Sequence, residues 1–163
     1  MHDESSLRLI PTSEADRTYI ARLNFLTDTF GDEHGTLADD FDTESDYYVR
    51  DWNPTNGGFI AWRGWVPAGG VWLLWGTDER HGFGHVAEEI PELALAVEGR
   101  YTGQGVGTAL LDRAAELARE LGAPGVSLSV HPDNARAHRL YAYRGFEPTG
   151  MIREGHPVLM KRW

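Results

Sequence analysis

The chain has 163 residues, of which 41% are hydrophobic and 25% charged, and its formal net charge at pH 7 is −10. The length predicts one domain over residues 1–163, and the composition is that of a soluble globular protein rather than a disordered or fibrous one. Only 15 Lys and Arg residues oppose 25 Asp and Glu residues, which argues against a nucleic-acid partner, and the lack of cysteine excludes disulfides, a thiolate nucleophile and a Cys-based zinc site.

The first residues carry no targeting signal, because residues 1–4 lack a basic region followed by an apolar one. No apolar run approaches the roughly 20 residues that span a bilayer. We therefore expect a cytoplasmic protein without a membrane partner.

The N-terminal third predicts a strand followed by helices. The strand covers residues 7–10, and a helix should run from a cap at Ser13 to Phe30. Its apolar side chains recur at three- and four-residue spacing and so share one face: Ile20, Leu23, Leu26 and Phe30. Residues 31–46 are acidic and lack a period, and a short helix is the expectation over residues 45–52.

Two aromatic segments, 59–63 and 71–75, predict a β-hairpin. Its turn is assigned to residues 67–70, which read Pro-Ala-Gly-Gly. Four of the six tryptophans lie in or between these segments. Their rings either cover one end of the core or line a substrate pocket, and Trp75 is the candidate for the second role.

The second half of the chain alternates strands with helices. Residues 93–97 form an apolar run typical of a strand buried on both faces. A helix over residues 105–121 and a strand over 126–130 complete a βαβ unit. A second helix over 134–144 and a closing antiparallel hairpin over 146–163 follow.

A glycine-rich segment, residues 102–108, lies between the buried strand and the helix that follows it. Alternate glycines let the backbone approach a ligand closely, and the helix start adds partial positive charge, so the segment suits a diphosphate without a basic side chain. Tight packing or a plain helix entry would use the same glycines. The spacing disfavours a dinucleotide fingerprint, and the Gly-Lys-Ser or Gly-Lys-Thr of a Walker loop is absent.

Two motifs in order give the chain a family resemblance. The strand 93–97, the glycine-rich segment and Leu110-Leu111 resemble the Arg/Gln-x-x-Gly-x-Gly/Ala motif with which the GNAT superfamily of N-acetyltransferases holds the coenzyme A pyrophosphate. The second motif of that superfamily is similar to Asn134-x-x-Ala137-x-x-Leu140-Tyr141-x-x-x-Gly145-Phe146. The close match covers residues 91–150.

The resemblance implies an α/β fold of mixed α+β type: a central mixed, mostly antiparallel sheet of about seven strands with a splayed parallel pair, flanked by about four helices. It also implies acetyl-CoA as cosubstrate. Thr102 stands where the family has Arg or Gln, so we expect a rearranged phosphate contact, with Arg100 close enough in sequence to compensate. The implied cofactor-binding residues are Leu95, Ala96, Val97, Thr102, Gly103, Gln104, Gly105, Val106, Gly107, Thr108, Asn134 and Tyr141.

The resemblance further implies that an amine attacks the thioester directly in a ternary complex. Pantetheine would pair with strand 93–97, and N–H groups near Ala96 and Val97 would polarise the carbonyl. Tyr141 matches the family tyrosine that protonates the departing thiolate; the alternative is a tyrosine packed against the sheet. Asn134 either contacts the coenzyme A arm or caps its helix, where Asp133 competes.

Glu92, at the start of the buried strand, is the predicted base for the amine, because a partly desolvated carboxylate there would accept a proton directly or through water. A solvated strand-end glutamate is the alternative. In the loop 77–91, His81 and His85 are spaced like a metal pair but lack helical geometry, so no metal is expected. The substrate-binding candidates are Glu88, Glu89, His85 and Trp75.

Two charged sets leave their roles open. The acidic run is either a solvated face or a rim that attracts an amine, and it comprises Asp39, Asp40, Asp42, Glu44 and Asp46. The basic side chains of the last helix either meet the coenzyme A 3′-phosphate or face water, and they are Arg136, Arg139 and Arg144.

The predicted activity is acetyl-CoA-dependent transfer of an acetyl group to a primary amine on a small molecule or peptide. The oligomeric state stays open, a homodimer included. One alternative is a non-catalytic coenzyme A-binding or sensor domain of the same fold. The other is a nucleotide-binding α/β enzyme.

Overall fold

A seven-stranded mixed sheet forms the centre of the protein. The computed structural model describes residues 6–29, 34–37 and 41–163. The strands are Leu7–Pro11 (β1), Gly58–Arg63 (β2), Val66–Leu74 (β3), Glu92–Val97 (β4), Gly125–Ser129 (β5), Glu147–Arg153 (β6) and His156–Arg162 (β7). The α-helices in the described ranges are Arg17–Thr29 (α1), Phe41–Ser45 (α2), Val106–Glu120 (α3) and Ala135–Tyr143 (α4). Shorter helical turns cover Glu14–Asp16, Asp46–Arg50, Pro54–Asn56 and Gly99–Tyr101.

The sheet has the strand order β1-β2-β3-β4-β5-β7-β6, and its neighbouring strands are antiparallel except for β4 and β5. The parallel pair is joined at a single register position, Glu92 opposite Ser127. The Ser127 N–H donates to the Pro91 carbonyl at 3.0 Å at the same point. Beyond it β4 continues to pair with β3, and β5 with β7, so a gap opens between β4 and β5.

The two faces of β4 belong to different cores. Leu93 packs with α3 in one hydrophobic cluster, whereas Ala96 packs with α1 and the turn Asp46–Arg50 in the other. This alternation is the two-residue period of a strand. The strand is therefore covered on both faces, as its continuous apolar run predicts.

Helix α3 forms where the sequence pattern predicts it. Its buried side chains recur at helical spacing and are Val106, Leu110, Leu111, Ala114, Ala115 and Ala118. Complete burial of a leucine such as Leu110 stabilises the fold by roughly 2 kcal/mol. The helix ends before Gly122, whose φ of 88° is in the left-handed region and whose N–H donates to the Arg119 carbonyl.

The predicted hairpin exists, but its turn is wrongly placed in the prediction. Strand β3 already begins at Val66, so the turn lies at Gly64 and Trp65, and residues 67–70 are strand residues. Gly69 and Gly70 serve close packing instead: a Cβ on Gly69 would come within 2.5 Å of the Ala96 carbonyl oxygen, and one on Gly70 within 2.7 Å of Leu23. Small residues in a strand thus gave a false turn signal.

The N-terminal helix is confirmed with a different first turn. The turn Glu14–Asp16 is a 3-10 helix that α1 continues, and the Ser13 N–H donates to the Asp16 carboxylate at 2.8 Å. The helix predicted over residues 45–52 instead consists of α2 and the π-helical turn Asp46–Arg50. Residues 1–4, Phe30, Asp39 and Asp40 lie outside the described residues.

The splayed parallel pair, the antiparallel remainder of the sheet and the flanking helices agree with the fold expected from the sequence. Within the described ranges, every helix is too short or too polar to traverse a lipid bilayer.

Candidate active site

A cavity of about 790 Å³ lies where β4 and β5 part. All of β4, from Glu92 to Val97, lines it. The glycine-rich segment and the start of α3 line it next to Val97, and α1, α2 and the turn Asp46–Arg50 contribute further walls. The segment after β5 and helix α4 complete the lining.

The glycine-rich segment presents main-chain donors to this cavity. Gly103 and Gly105 have φ values of 80° and 83°, and a Cβ on either would meet no atom within 4 Å. The Ala109 N–H donates to the Gly105 carbonyl at 3.0 Å, so the amides before Ala109 lack a carbonyl one helical turn back. Helix geometry and open space therefore give the N-terminus of α3 the features of a candidate anion site.

The side chains beside this anion site have local partners. The Thr102 hydroxyl donates to the Gly99 carbonyl at 2.8 Å, and the Gln104 amide donates to the Arg100 carbonyl at 3.4 Å. Thr102 lines the cavity, but Arg100, expected to compensate for it, does not. The exposed Arg136 on α4 lines the cavity and is the better-placed cation.

The edge of β4 that faces β5 has no ladder partner beyond Glu92 among the described residues. That edge runs along the cavity, where Leu95, Ala96 and Val97 are lining residues. An extended chain in the gap would meet unpaired main-chain groups, as an added strand does. All of the predicted cofactor-binding residues except Gln104 line the cavity.

Helix α4 places two predicted residues at the cavity. The Asn134 side chain accepts a hydrogen bond from the Ala137 N–H at 3.2 Å, so Asn134 rather than Asp133 caps the helix while also lining the cavity. Tyr141 is buried and lies 5.9 Å from Phe146 between ring centroids. Burial raises the pKa of Tyr141 to about 12, so its hydroxyl keeps its proton at neutral pH.

Glu92 is buried in the cavity wall, with 2% of its surface exposed, which contradicts the solvated alternative. Its Oε2 atom accepts hydrogen bonds from the Tyr48 hydroxyl at 2.6 Å and from the Gly84 N–H at 3.0 Å. Its Oε1 atom has no hydrogen-bond partner among the described residues. Burial raises the pKa of Glu92 to about 7, against the opposing effects of Tyr48, Gly84 and Arg153.

The predicted substrate-binding residues do not line the cavity. Trp75 donates from its indole N–H to the Asn56 carbonyl at 3.1 Å and packs against the α3 core. His85 is buried, and its ring lies 4.6 Å from that of His81. Glu88 and Glu89 are exposed. The geometry thus gives the substrate role of these four residues no support.

The His85 ring also lies within hydrogen-bond distance of Asp78, whose carboxylate is 3.1 Å from the Nε2 atom of His85. In the part of the chain that the structure describes, no three His, Asp or Glu side chains form a metal-binding group.

The structure brings other polar side chains to the cavity. Asn24 on α1 is buried, and its Nδ2 atom has no partner among the described residues. Its four-residue spacing from the buried Ile20 marked it as a polar residue on an apolar face, a signal available in the sequence. Tyr48 lies 44 residues before its partner Glu92. No local pattern links the two.

The acidic run is divided between the cavity and the surface. Glu44 lines the cavity, as does Asp28 on α1. Asp42 and Asp46 are exposed. Two half-buried carboxylates, those of Asp28 and Glu44, thus line the same cavity as Glu92.

Comparisons with known sequences agree with this geometry. The model of the acetyltransferase (GNAT) family matches residues 23–146. A mycothiol acetyltransferase from Corynebacterium glutamicum (strain R) is 31% identical over 129 residues, which are 72% of this chain and 43% of the relative. One from Beutenbergia cavernae is 31% identical over 93 residues, 53% of this chain and 31% of the relative. The chain spans less than half the length of these relatives.

Solved structures share the fold. The PaiA N-acetyltransferase from Thermoplasma acidophilum, in complex with coenzyme A, has a TM-score of 0.71 at 16% identity and covers 97% of this chain and 99% of its own. The putative acetyltransferase YncA from Salmonella typhimurium, with acetyl-CoA, has a TM-score of 0.65 at 19% identity. The match covers 97% of this chain and 94% of that structure's chain.

The family match contains β4, the glycine-rich segment, α3 and α4 with Tyr141, which are among the elements that line the cavity. The resemblance read from the two sequence motifs is confirmed. The chain belongs to the GNAT family of acetyltransferases.

Proposed function

We propose that this chain is an acetyl-CoA-dependent N-acetyltransferase, acting as a single domain, that transfers an acetyl group to an amine in a ternary complex. The observation that carries the proposal is one continuous cavity joining the N-terminus of α3, the unpaired edge of β4 and the buried carboxylate of Glu92. An anion site would hold the diphosphate of coenzyme A, an extended-chain site would hold its pantetheine arm, and a proton acceptor would take the proton of the amine.

The glycine-rich segment fits the diphosphate of coenzyme A. The open space beside Gly103 and Gly105 lets phosphate oxygens approach the main chain, and the amides of the first turn of α3 supply donors. Arg136 would pair with a further phosphate group as a charged donor. Bound acetyl-CoA would supply the acetyl thioester.

The edge of β4 fits the pantetheine arm. Main-chain groups of Leu95, Ala96 and Val97 would hold it as an added strand in the gap before β5. The N–H groups on this edge would then polarise the thioester carbonyl, since fixed dipoles in a closed site stabilise a developing oxyanion.

Glu92 and Tyr141 divide the proton transfers. Glu92 accepts the proton of the amine, directly or through water, as the nitrogen bonds to the carbonyl carbon. Tyr141 gives its hydroxyl proton to the sulfur as the carbon–sulfur bond breaks. Exchange with solvent then returns a proton to Tyr141 and removes one from Glu92.

The acceptor end of the cavity suits a cationic amine. Among the described residues, the carboxylates that line the cavity are Asp28, Glu44 and Glu92, and they would attract an ammonium group before Glu92 takes its proton. The curated relatives are named mycothiol acetyltransferases. A mycothiol-related small molecule is therefore the first acceptor to test, ahead of peptides.

The proposal is tested by calorimetry with coenzyme A and by acetyl-CoA turnover across amine classes. We expect coenzyme A to bind and at least one small amine to be acetylated. Binding of coenzyme A with no turnover on any amine would favour the sensor domain. No heat with coenzyme A, together with binding of NAD or ATP, would replace the proposal with a nucleotide enzyme.

We predict that Gly105→Ala weakens coenzyme A binding about tenfold, because the added methyl group stands where the phosphates approach. The measurement is the calorimetric Kd.

Gly122→Ala is the matched control at the other end of α3. Gly122 also has a left-handed φ, 88°, and open space at its Cβ position, so alanine meets a similar unfavourable φ there without a cavity contact. Equal Kd values for the two variants would show that the methyl group at residue 105 meets no ligand.

A further inference from the structure

Tyr48 connects three separate parts of the acceptor end of the cavity. It is a buried residue of the π-helical turn Asp46–Arg50, and its main-chain carbonyl accepts a hydrogen bond from the Trp72 indole at 2.9 Å. Its hydroxyl donates to Glu92 on β4 at 2.6 Å and accepts from the Phe83 N–H at 2.9 Å. The π-helical turn, the central sheet and the loop after β3 thus meet at one hydroxyl.

The loop that supplies the second donor is itself fixed. The Arg153 guanidinium donates to the Phe83 carbonyl at 3.0 Å and to the His85 carbonyl. A Cβ on Gly84 would come within 2.6 Å of the Leu128 carbonyl carbon, so the loop lies directly on β5. The Gly84 N–H that donates to Glu92 therefore has a defined position.

The two carboxylate oxygens of Glu92 have different surroundings. Oε2 accepts both the Tyr48 hydroxyl and the Gly84 N–H, whereas Oε1 has no partner among the residues described. A Cβ on Gly82 would collide with both the Tyr48 hydroxyl oxygen and Oε1, so both oxygens lie directly against the Gly82 backbone. Oε1 is left as the oxygen with capacity to accept a proton.

We propose that Tyr48 is a positioning residue of the acetyl transfer: its hydroxyl fixes Oε2 of Glu92 and favours the ionised carboxylate that receives the amine proton. The inference rests on the proposed function of Glu92 as base and goes beyond it, because it assigns a role to a residue outside both family motifs. Tyr48 acts through Glu92 and needs no contact with the reacting atoms.

Several other charged or titratable groups surround this pair. Arg153 on β6 lowers the pKa of Glu92, and the charge of Glu92 contributes to the raised pKa of Tyr47, whose main cause is burial. Further charged or titratable side chains on neighbouring elements include Asp28, Glu44, Arg80, His81, His85, His131 and His156. All of these stay in place when only the Tyr48 hydroxyl is removed.

The effect of removing the hydroxyl has a defined sign. Burial raises the pKa of Glu92, and the hydrogen bond from Tyr48 lowers it. Tyr48→Phe keeps the ring and removes that hydrogen bond, so burial is less opposed and the pKa of Glu92 rises further. The ionised base then appears at higher pH.

The test compares kcat/KM for acetyl transfer against pH in the wild type and in Tyr48→Phe. We expect the rising limb to move up by about one pH unit, which means about tenfold lower kcat/KM well below the pKa and a smaller difference above it. Tyr19→Phe is the matched control, because Tyr19 donates to Glu98 at 2.6 Å, a bond of the same type and length away from the cavity lining. It should leave the limb unmoved.

A Tyr48→Phe limb that coincides with those of the wild type and Tyr19→Phe would overturn the positioning role. Glu92→Gln separates this failure from that of the proposed function, since a wild-type limb in Glu92→Gln would remove Glu92 as the base. Carbon-13 NMR of the glutamate carboxyls, with Glu92→Gln to assign the signal, measures the same pKa without turnover. An unchanged Glu92 titration in Tyr48→Phe would also overturn the inference.

Discussion

Tyr141→Phe should lower kcat for acetyl transfer by about 100-fold at neutral pH, a typical effect of losing a positioned acid. Burial raises the pKa of Tyr141 to about 12, so the hydroxyl is protonated throughout the working range and can donate to the developing thiolate. Phenylalanine keeps the ring that packs near Phe146. The Kd for coenzyme A should stay within about twofold, because the lost interaction strengthens only in the transition state.

The matched control for this prediction is Tyr143→Phe on the same helix. Tyr143 is 76% exposed and does not line the cavity, so the loss of its hydroxyl should leave kcat unchanged. Steady-state kinetics and calorimetry on both variants decide the matter. A kcat for Tyr141→Phe equal to that of Tyr143→Phe would leave Tyr141 a packing residue.

The end of the cavity formed by the glycine-rich segment was predictable because its signals are local. A continuous apolar run marks β4, a strong helical period marks α3, and the glycines between them need left-handed φ values at positions 103 and 105. Short sequence separation also let two motifs be read in order. The structure places nearly all of the residues inferred from them around one cavity.

The surroundings of Glu92 were not predictable from local signals. The burial of Glu92 depends on Tyr48 and on the loop that contains Gly84, and these join it only through tertiary packing. Histidine and glutamate in a loop look the same in sequence whether they face a ligand or not. In the structure His85 is buried and bonded to Asp78, while Glu88 points to a surface position outside the cavity.

The predicted position of the hairpin turn was wrong for a related reason. Pro and Gly at residues 67–70 are turn residues by local propensity, but the packing of α1 and β4 against β3 requires small residues there. A Cβ on Gly70 would meet Leu23 and Ile60 at 2.7 and 3.0 Å. Sequence alone does not distinguish a glycine chosen for φ from one chosen for lack of volume.

Glu92→Gln should remove the rising limb of kcat/KM near pH 7 and lower kcat/KM by about 100-fold above it. Burial raises the pKa of Glu92 to about 7, so the carboxylate becomes an available base as the pH passes that value. The amide is close in shape but cannot accept a proton. Using one acceptor amine for both proteins cancels the ionisation of the amine itself.

If the rising limb of kcat/KM near pH 7 were retained in Glu92→Gln, that limb would belong to the titration of another group. Coenzyme A binding should be unchanged, because Glu92 lies at the far end of β4 from the glycine-rich segment. Calorimetry checks that the loss belongs to the acceptor side of the reaction.

The raised pKa of Glu92 also predicts how the stability of the folded protein depends on pH, which can be measured without substrate. Because burial raises its pKa to about 7 from 4.5, the folded state holds the proton more tightly than the unfolded state. The stabilisation from this proton is fully present below the unfolded pKa and is lost as the pH rises through the folded one, a change on the order of 3 kcal/mol. Urea unfolding should therefore show the wild type losing stability relative to Glu92→Gln between about pH 5 and pH 8.

Glu98→Gln is the control, because the stability contributed by Glu98 should change with pH in the opposite direction. Burial raises the pKa of Glu98, but hydrogen bonds from Arg22 and Tyr19 outweigh it, so its folded pKa lies below the usual value. The stabilisation by Glu98 is present above its unfolded pKa and is lost as the pH falls through the folded one. The wild type should thus gain stability over Glu98→Gln as the pH rises from the acid range, while it loses stability relative to Glu92→Gln. If the curves of wild type and Glu92→Gln ran parallel, the buried carboxylate would not titrate near neutral pH, and its assignment as the base would lose its physical ground.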